Sequence, residues 1–481
     1  MSRECNAVRA NFIVGQLRFF AILWPSSSSH PLAMIHSGKL ERGLGLKEAT
    51  ALNMIDMVGI GPFIVIPLVI KDMGGPQCLL AWVVGAVLAL IDGCVWAELG
   101  AAMPEAGGSY VYLREAYGPA KWGRLLSFLV IWQTIFQAPL VIASGSIGFA
   151  EYFAYLVPLG RYGQKAVAGA VVIALAFLLY RRITSVGKIS MLLWIGVFGT
   201  ILWLIAAGAT HFHPALVFRY PAHAWSLNWL FFAALGSATV QTIYTYWGYY
   251  NVCFLGGEVK QPERNIPRAI FLSIIAIGIL YLAMQTCILG VVPWQEAQHS
   301  QFIVSVFFQR IYGTHAAEFA TVLILWIAFA SLFSATLGYS RIPYAAAQDG
   351  NFFAVFGRVH PTKHFPHISL LTLCAVAFIF SLLFRLETVI TAIAAMRILV
   401  QFVGQAIGVI LLRRRWPSER LPFKMWLFPI PAGIAIILWL ALFAATGRRM
   451  LFGLAAIVAG VIVFLIRSKE SNQWPFAEAS E

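Results

Sequence analysis

Twelve apolar stretches, each long enough to cross a bilayer, follow one another along the chain: 49–71, 77–100, 124–147, 164–181, 187–208, 229–256, 269–292, 318–346, 368–384, 388–411, 427–446 and 451–467. A spanning helix needs about 20 such residues, because the bilayer core holds no water to satisfy an unpaired backbone. Breakers separate the stretches, among them Gly74-Gly75-Pro76, Pro104 to Gly108, Pro262 to Pro267, Pro361 to Pro366 and Trp416 to Pro422. The pattern predicts an all-α polytopic membrane protein with twelve transmembrane helices.

Two spans interrupt themselves. Span 1 reads Asn53-Met54-Ile55-Asp56-Met57-Val58-Gly59-Ile60-Gly61-Pro62-Phe63, with two glycines and a proline at mid-membrane. Span 6 reads Tyr244-Thr245-Tyr246-Trp247-Gly248-Tyr249-Tyr250-Asn251, polar and aromatic where leucine and valine are expected. Unwound backbone at that depth is tolerated only where it is buried in protein or lines a cavity. Discontinuous helices at matching places in two halves point to a transporter's substrate site. The two spans are five apart, an odd number, so the halves would cross the membrane in opposite senses. That predicts an inverted repeat of 41–208 (spans 1–5) and 229–411 (spans 6–10), followed by 427–467 (spans 11–12). A packing reading stands beside it: glycines let helices approach closely, and Pro62 by itself kinks a helix.

Only 11% of the 481 residues are charged and 60% are hydrophobic, whereas roughly a quarter of a soluble protein is charged. So little charge cannot cover a water-facing surface, which excludes a soluble enzyme and a disordered chain. Six cysteines, mostly inside apolar runs, exclude a disulfide scaffold. A net charge of +14 would suggest nucleic acid for a soluble protein; here it follows from basic cytoplasmic loops. Loops after even-numbered spans and the terminal segments carry 25 Lys and Arg, the opposite side carries eight, and Arg397 lies inside span 10. The asymmetry predicts a multi-pass plasma-membrane protein with both termini in the cytoplasm. Residues 1–40 are expected to be a disordered extension without a cleavable signal, Met34 being an alternative start, and 468–481 a cytoplasmic tail.

Five motifs then fall in order. They are Gly59-Ile60-Gly61-Pro62-Phe63-Ile64; Glu98-Leu99-Gly100 with Pro104 to Gly118; Gly257-Glu258 with Pro262, Asn265, Pro267 and Arg268; Ser340-Arg341 with Asp349-Gly350; and Leu412-Arg413 to Pro417 with Leu421 to Lys424. Over roughly residues 40–450 the chain resembles the amino acid–polyamine–organocation (APC) superfamily of permeases, of amino acid permease type. The resemblance implies a LeuT-type fold of five plus five helices, with helices 1 and 6 broken and two further helices at the C-terminus. It also implies secondary transport of amino acids or amines by alternating access, as proton-coupled symport or exchange. Tyr244 stands where the family places an aromatic gate.

The chemistry can be stated without the resemblance. A zwitterion offers a carboxylate and an ammonium. Free N–H groups at Gly59, Ile60 and Gly61 would accept the carboxylate, helped by the dipole of the half-helix that follows. Pro62 has no N–H, so Gly61 is expected to carry the key donor. Carbonyls freed at Met57 and Val58, and from Tyr244 through Thr245 and Tyr246 to Trp247 and Gly248, would hold the ammonium. The run Tyr244, Tyr246, Trp247, Tyr249 and Tyr250 would add cation–π attraction.

Asp56 and Asp92 are candidates for proton coupling. At 1.5 Å per residue both lie roughly 10–12 Å from the cytoplasmic side, and an intramembrane carboxylate reads as functional by default. Two at one depth could share a proton; the alternative is a structural hydrogen bond, or a pairing with Lys188 or Arg397. The resemblance implies a sodium alternative, since sodium-driven relatives of the wider fold use hydroxyls on span 8 facing span 1, where Ser331 and Ser334 are available, although serines also pack helices. Asn265 and Pro267 are expected as the N-cap and early turn of span 7. His360, His364 and His367 are separated by Pro361 and Pro366 and are not expected to bind metal. No HExxH or P-loop lysine motif is present, so no cofactor, no enzyme activity and no nucleic-acid partner are expected. Two rival readings are a polyamine or organic-cation carrier of the same fold, which Asp56 would favour, and a membrane enzyme or sensor on a transporter scaffold.

Overall fold

The computed structural model describes residues 40–222, 224–383, 397–445, 447 and 450–476. Expectations for residues 1–39, for the start of span 10, for Arg385, Arg448 and Arg449, and for the last five residues of the tail lie outside the described residues.

Regular structure among the described residues is helical, apart from two isolated bridges that pair Leu44 with Val259 and Ala106 with Leu255. Span 1 is two helices, α1 (Leu46–Met57) and α2 (Gly61–Met73), bent by 47°. Pro62 is accommodated in the first turn of α2, where its missing N–H leaves nothing unpaired. Gly74 ends α2 in the left-handed conformation (φ 69) and returns its N–H to the Ile70 carbonyl at 2.8 Å.

Spans 2 to 5 are α3 (Leu79–Ala102), α5 (Trp122–Leu156), α6 (Arg161–Leu179) and α7 (Ile183–Thr210), with the short α4 (Ser109–Tyr117) between spans 2 and 3. Span 6 is α8 (Trp229–Tyr246) and, beyond a break, the single turn α9 (Asn251–Phe254). Then come α10 (Pro262–Val291), α11 (Ile303–Tyr312), α12 (Thr314–Tyr339), α13 (Arg341–Gln348) and α14 (His367–Leu383). In span 10 a π-turn over Ile398–Val403 runs into α15 (Gly404–Arg415), and α16 (Ile430–Ala445) and α17 (Met450–Glu470) complete the chain.

By length and composition six single helices could cross a membrane, and the bent α1–α2 pair makes a seventh. Their exposure is inverted relative to a protein in water. Phe177, Ile279 and Ile437 are 71%, 63% and 67% exposed, whereas Asn53, Asp92 and Gln285 are 0% exposed. Apolar side chains turned outward and polar ones inward suit a hydrocarbon solvent.

The centre is built on α1, which packs against α7, α10 and α12, while α8 packs against α2 and α3. Asn265 is not the N-cap of span 7. Pro262, which needs no backbone acceptor, starts α10 a turn earlier, behind Gln261 in the left-handed region. The Asn265 amide instead donates to the Lys260 carbonyl at 2.5 Å. At the end where the even-numbered loops gather, Glu258 accepts two hydrogen bonds from Arg341 (2.9 and 2.8 Å) and Glu98 two from Arg413 (2.6 and 2.7 Å).

A candidate substrate site at two helix breaks

The backbone of span 1 opens at Val58-Gly59-Ile60. The Val58 N–H still reaches back to the Met54 carbonyl at 2.9 Å. Those of Gly59, Ile60 and Gly61 have no hydrogen-bond acceptor among the described residues. They stand at the N-terminus of α2, where the helix dipole favours an anion. Gly59 lies against α12, since a Cβ there would stand 2.7 Å from Ser331 Oγ. Close packing and substrate access therefore share this glycine. A Cβ on Gly61 would touch the Tyr244 ring at 3.4 Å and Thr245 Cγ2 at 3.9 Å, so the two breaks face each other across this position.

Span 6 leaves the helix at Trp247, which is extended (ψ 142), and turns at Gly248 with φ 121. Gly248 also touches the first break. A Cβ there would stand 2.7 Å from the Met57 nitrogen and 2.8 Å from the Asp56 carbonyl carbon. Buried polar side chains tie the two segments together. The Asn53 amide donates to the Tyr249 carbonyl at 2.6 Å and accepts from the Val252 N–H at 2.9 Å. The Tyr281 hydroxyl, from α10, lies 2.7 Å from the Met57 carbonyl and 3.1 Å from that of Thr245. Those two carbonyls, expected to be free for an ammonium, are thus partly engaged.

The aromatic run divides between two faces. Tyr246 and Tyr249 turn toward α3, with Tyr246 donating to the Trp82 carbonyl at 3.2 Å and Tyr249 to Asp92 Oδ2 at 2.5 Å. Tyr244 and Trp247 form the other face, and Tyr250 lies between the two, stacked on Trp96 of α3 with ring centres 4.5 Å apart. A cation already sits there: the Arg397 guanidinium carbon is 5.2 Å from the Trp247 ring centre and 5.0 Å from that of Tyr250. The cation–π position expected for a substrate amine is therefore filled by the chain's own side chain. The sequence marks Arg397 as a basic residue inside a span and as one possible partner for the two acids, not as a neighbour of the aromatic run. Neither spacing nor composition gave Tyr281 any signal.

Of the four coupling candidates, Ser331 meets Asp56 at its backbone, while the two acids stand apart. Asp56 is half-buried at the end of α1, and no hydrogen bond or ion pair to its carboxylate is found among the described residues. Asp92 is fully buried, taking Tyr249 on one oxygen and Trp439 Nε1 on the other at 2.8 Å. No hydrogen bond joins the two acids among the described residues. Ser331 and Ser334 face α1 and donate to the carbonyls of Asp56 (3.2 Å) and Leu52 (2.7 Å). A cavity of about 390 Å³, lined by Met73, Gln77, Pro221 and Asn228, lies at the far end of α2 and not at the breaks.

The family profile described as "Amino acid permease" matches residues 44–467. The serine/threonine exchanger SteT of Bacillus subtilis (strain 168) is 27% identical, over 82% of this chain and 89% of its own length. The branched-chain amino acid permease BcaP of the same organism is 23% identical, over 90% and 94%. The cationic amino acid transporter 4 of Mus musculus is 27% identical over 79% of this chain, which spans 61% of that longer protein. With a profile match across nearly all of the described residues, this chain belongs to the amino acid permease family.

Proposed function

We infer that this protein is a secondary transporter that moves amino acids across the membrane by alternating access. The observation that carries the reading is the meeting of two broken spans at Gly248, with the amides of Gly59, Ile60 and Gly61 beside them. The relatives agree on amino acids but differ in the side chain their names specify, so family membership leaves the substrate open. The finer architecture we propose is twelve spans, an inverted repeat of 41–208 and 229–411, and both termini in the cytoplasm. The substrate site comprises Val58 to Gly61 and Tyr244 to Gly248, with the α-carboxylate at the Gly59–Gly61 amides. A polyamine carrier is disfavoured, because Arg397 occupies the aromatic cage that a second amine would use and would repel it.

Coupling is assigned to Asp56, a carboxylate in the membrane with no fixed partner among the described residues. The test is uptake of a labelled amino acid mixture by purified protein in liposomes, with imposed pH gradients and with or without sodium. Uptake that rises with external acidity in the wild type is expected to lose that dependence in Asp56→Asn, while exchange against preloaded substrate persists. A variant with wild-type acid stimulation, or a sodium requirement at Ser331 and Ser334, removes the proton assignment. A wild-type protein that neither binds nor moves any amino acid removes the transporter reading.

A further inference from the structure

Arg397 is 2% exposed, inside a span, and no carboxylate lies within ion-pair distance of it among the described residues, although the charge of Asp56 acts on it through space. Its Nε donates to Gln401 Oε1 at 2.8 Å and its Nη1 to the Tyr339 hydroxyl at 3.0 Å. Nη2 makes no well-formed hydrogen bond, and what faces the guanidinium there is the Tyr250 side chain, a neutral partner. Burying a guanidinium in this way is costly unless something completes it. A second buried arginine, Arg341, shows what completion looks like: its Nε and Nη2 are both held by Glu258.

The surroundings of Nη2 are short of acceptors. Trp247 Nε1 is also buried without a partner, and Gln137 Nε2 has no acceptor beyond the Tyr339 hydroxyl. Trp247 lies under the guanidinium and Gln137 against Tyr339, the same tyrosine that Arg397 holds. Indole, amide and guanidinium N–H groups can only donate. A group that fits here must therefore accept without donating and must carry negative charge. The local fold serves this placement, because the π-turn after Arg397 lets Gln401 hold Nε while its own amide is anchored on Ser109 Oγ at 2.7 Å. A π-turn inside a helix commonly marks a functional position.

We propose that Arg397 receives a second carboxylate, that of the substrate's side chain, and so selects amino acids with anionic side chains. This rests on the transporter reading above. With the α-carboxylate at Gly61, the side chain runs past Tyr244, whose ring touches the Gly61 position, to Trp247, 5.6 Å from Tyr244 between ring centres, and on to Arg397. An amide side chain offers one acceptor but brings its own donors among unsatisfied donors. A cationic side chain meets a buried like charge.

The experiment compares labelled L-glutamate, L-glutamine and L-lysine on the full-length protein in liposomes, in the wild type, Arg397→Gln and Arg397→Lys. Glutamate is expected to outcompete glutamine by about tenfold to a hundredfold, the range of a charge-assisted hydrogen bond. Arg397→Gln should remove that preference while glutamine is still bound, and Arg397→Lys should keep part of it. Retained glutamine binding by the Gln variant shows that it is folded, and the wild-type preference is itself a test that needs no variant. A wild type that takes glutamine as well as glutamate, or takes only neutral or cationic amino acids, overturns the proposal and leaves the transporter reading standing. An unchanged glutamate preference in a folded Arg397→Gln also overturns it. Failure to bind any amino acid overturns both.

Discussion

Single groups at the breaks do more than their size suggests. Gly61 has no side chain, and its amide has no acceptor among the described residues. An added Cβ would touch the Tyr244 ring at 3.4 Å, and valine would push two further carbons into the same space. Gly61→Val is expected to abolish amino acid binding while folded protein persists in the membrane; a ligand-induced thermal shift of wild-type size would contradict it. Tyr281 acts from a distance. Its hydroxyl lies between the carbonyls of Met57 and Thr245 and is buried with them. Tyr281→Phe leaves both carbonyls short of a donor, and we expect about 1–3 kcal/mol of lost stability. Thermal denaturation in detergent should show the loss, together with weaker substrate binding; a variant as stable as the wild type would mean the two breaks are held by packing alone.

At the scale of elements, the two broken spans form one unit. Asn53 joins α1 to the segment around α9 through both ends of its amide, and Gly248 brings the backbones into contact. Gly248 combines φ 121 with the absence of room for a Cβ, so any L-residue there is strained and also collides with Met57. Gly248→Ala is expected to prevent accumulation of folded protein. Gly236→Ala, on helix α8 of the same span with open space at the position, should be neutral or slightly stabilising. Comparable fluorescence size-exclusion profiles for the two variants would show that the contact at Gly248 is dispensable.

The whole molecule is closed at one end by buried charge. Glu258, next to the bridge that joins Leu44 and Val259, grips Arg341 at the start of α13, and both side chains are almost wholly buried (0% and 2%). Removing one partner strands the other. Glu258→Leu should cost about 3–5 kcal/mol, whereas Glu258→Leu with Arg341→Met should recover much of it. A double variant no more stable than the single would show that the pair is not the source of the effect. The neighbouring pair of Arg114 with Asp349 is part-exposed and should contribute little by comparison.

The sequence by itself determined the membrane class, the order of the helices and the positions of both breaks. Each of these follows from local composition: long apolar runs need no partner to declare a spanning helix, and Gly59, Gly61, Pro62 and Gly248 are poor helix formers in the middle of a span. It also marked Asp56 and Asp92 as exceptional, because charge in an apolar run is costly in any fold. Which groups those residues face was decided only by the tertiary structure. Tyr246 and Tyr249 parted from Tyr244 and Trp247 because the break rotates successive side chains toward different helices. Asp92 was claimed by Tyr249 and by Trp439, a residue 347 positions further along the chain. Arg397 came to lie in the aromatic cage once the π-turn and the break in span 6 were packed together. Contacts of that kind join residues far apart in sequence, and no local pattern encodes them.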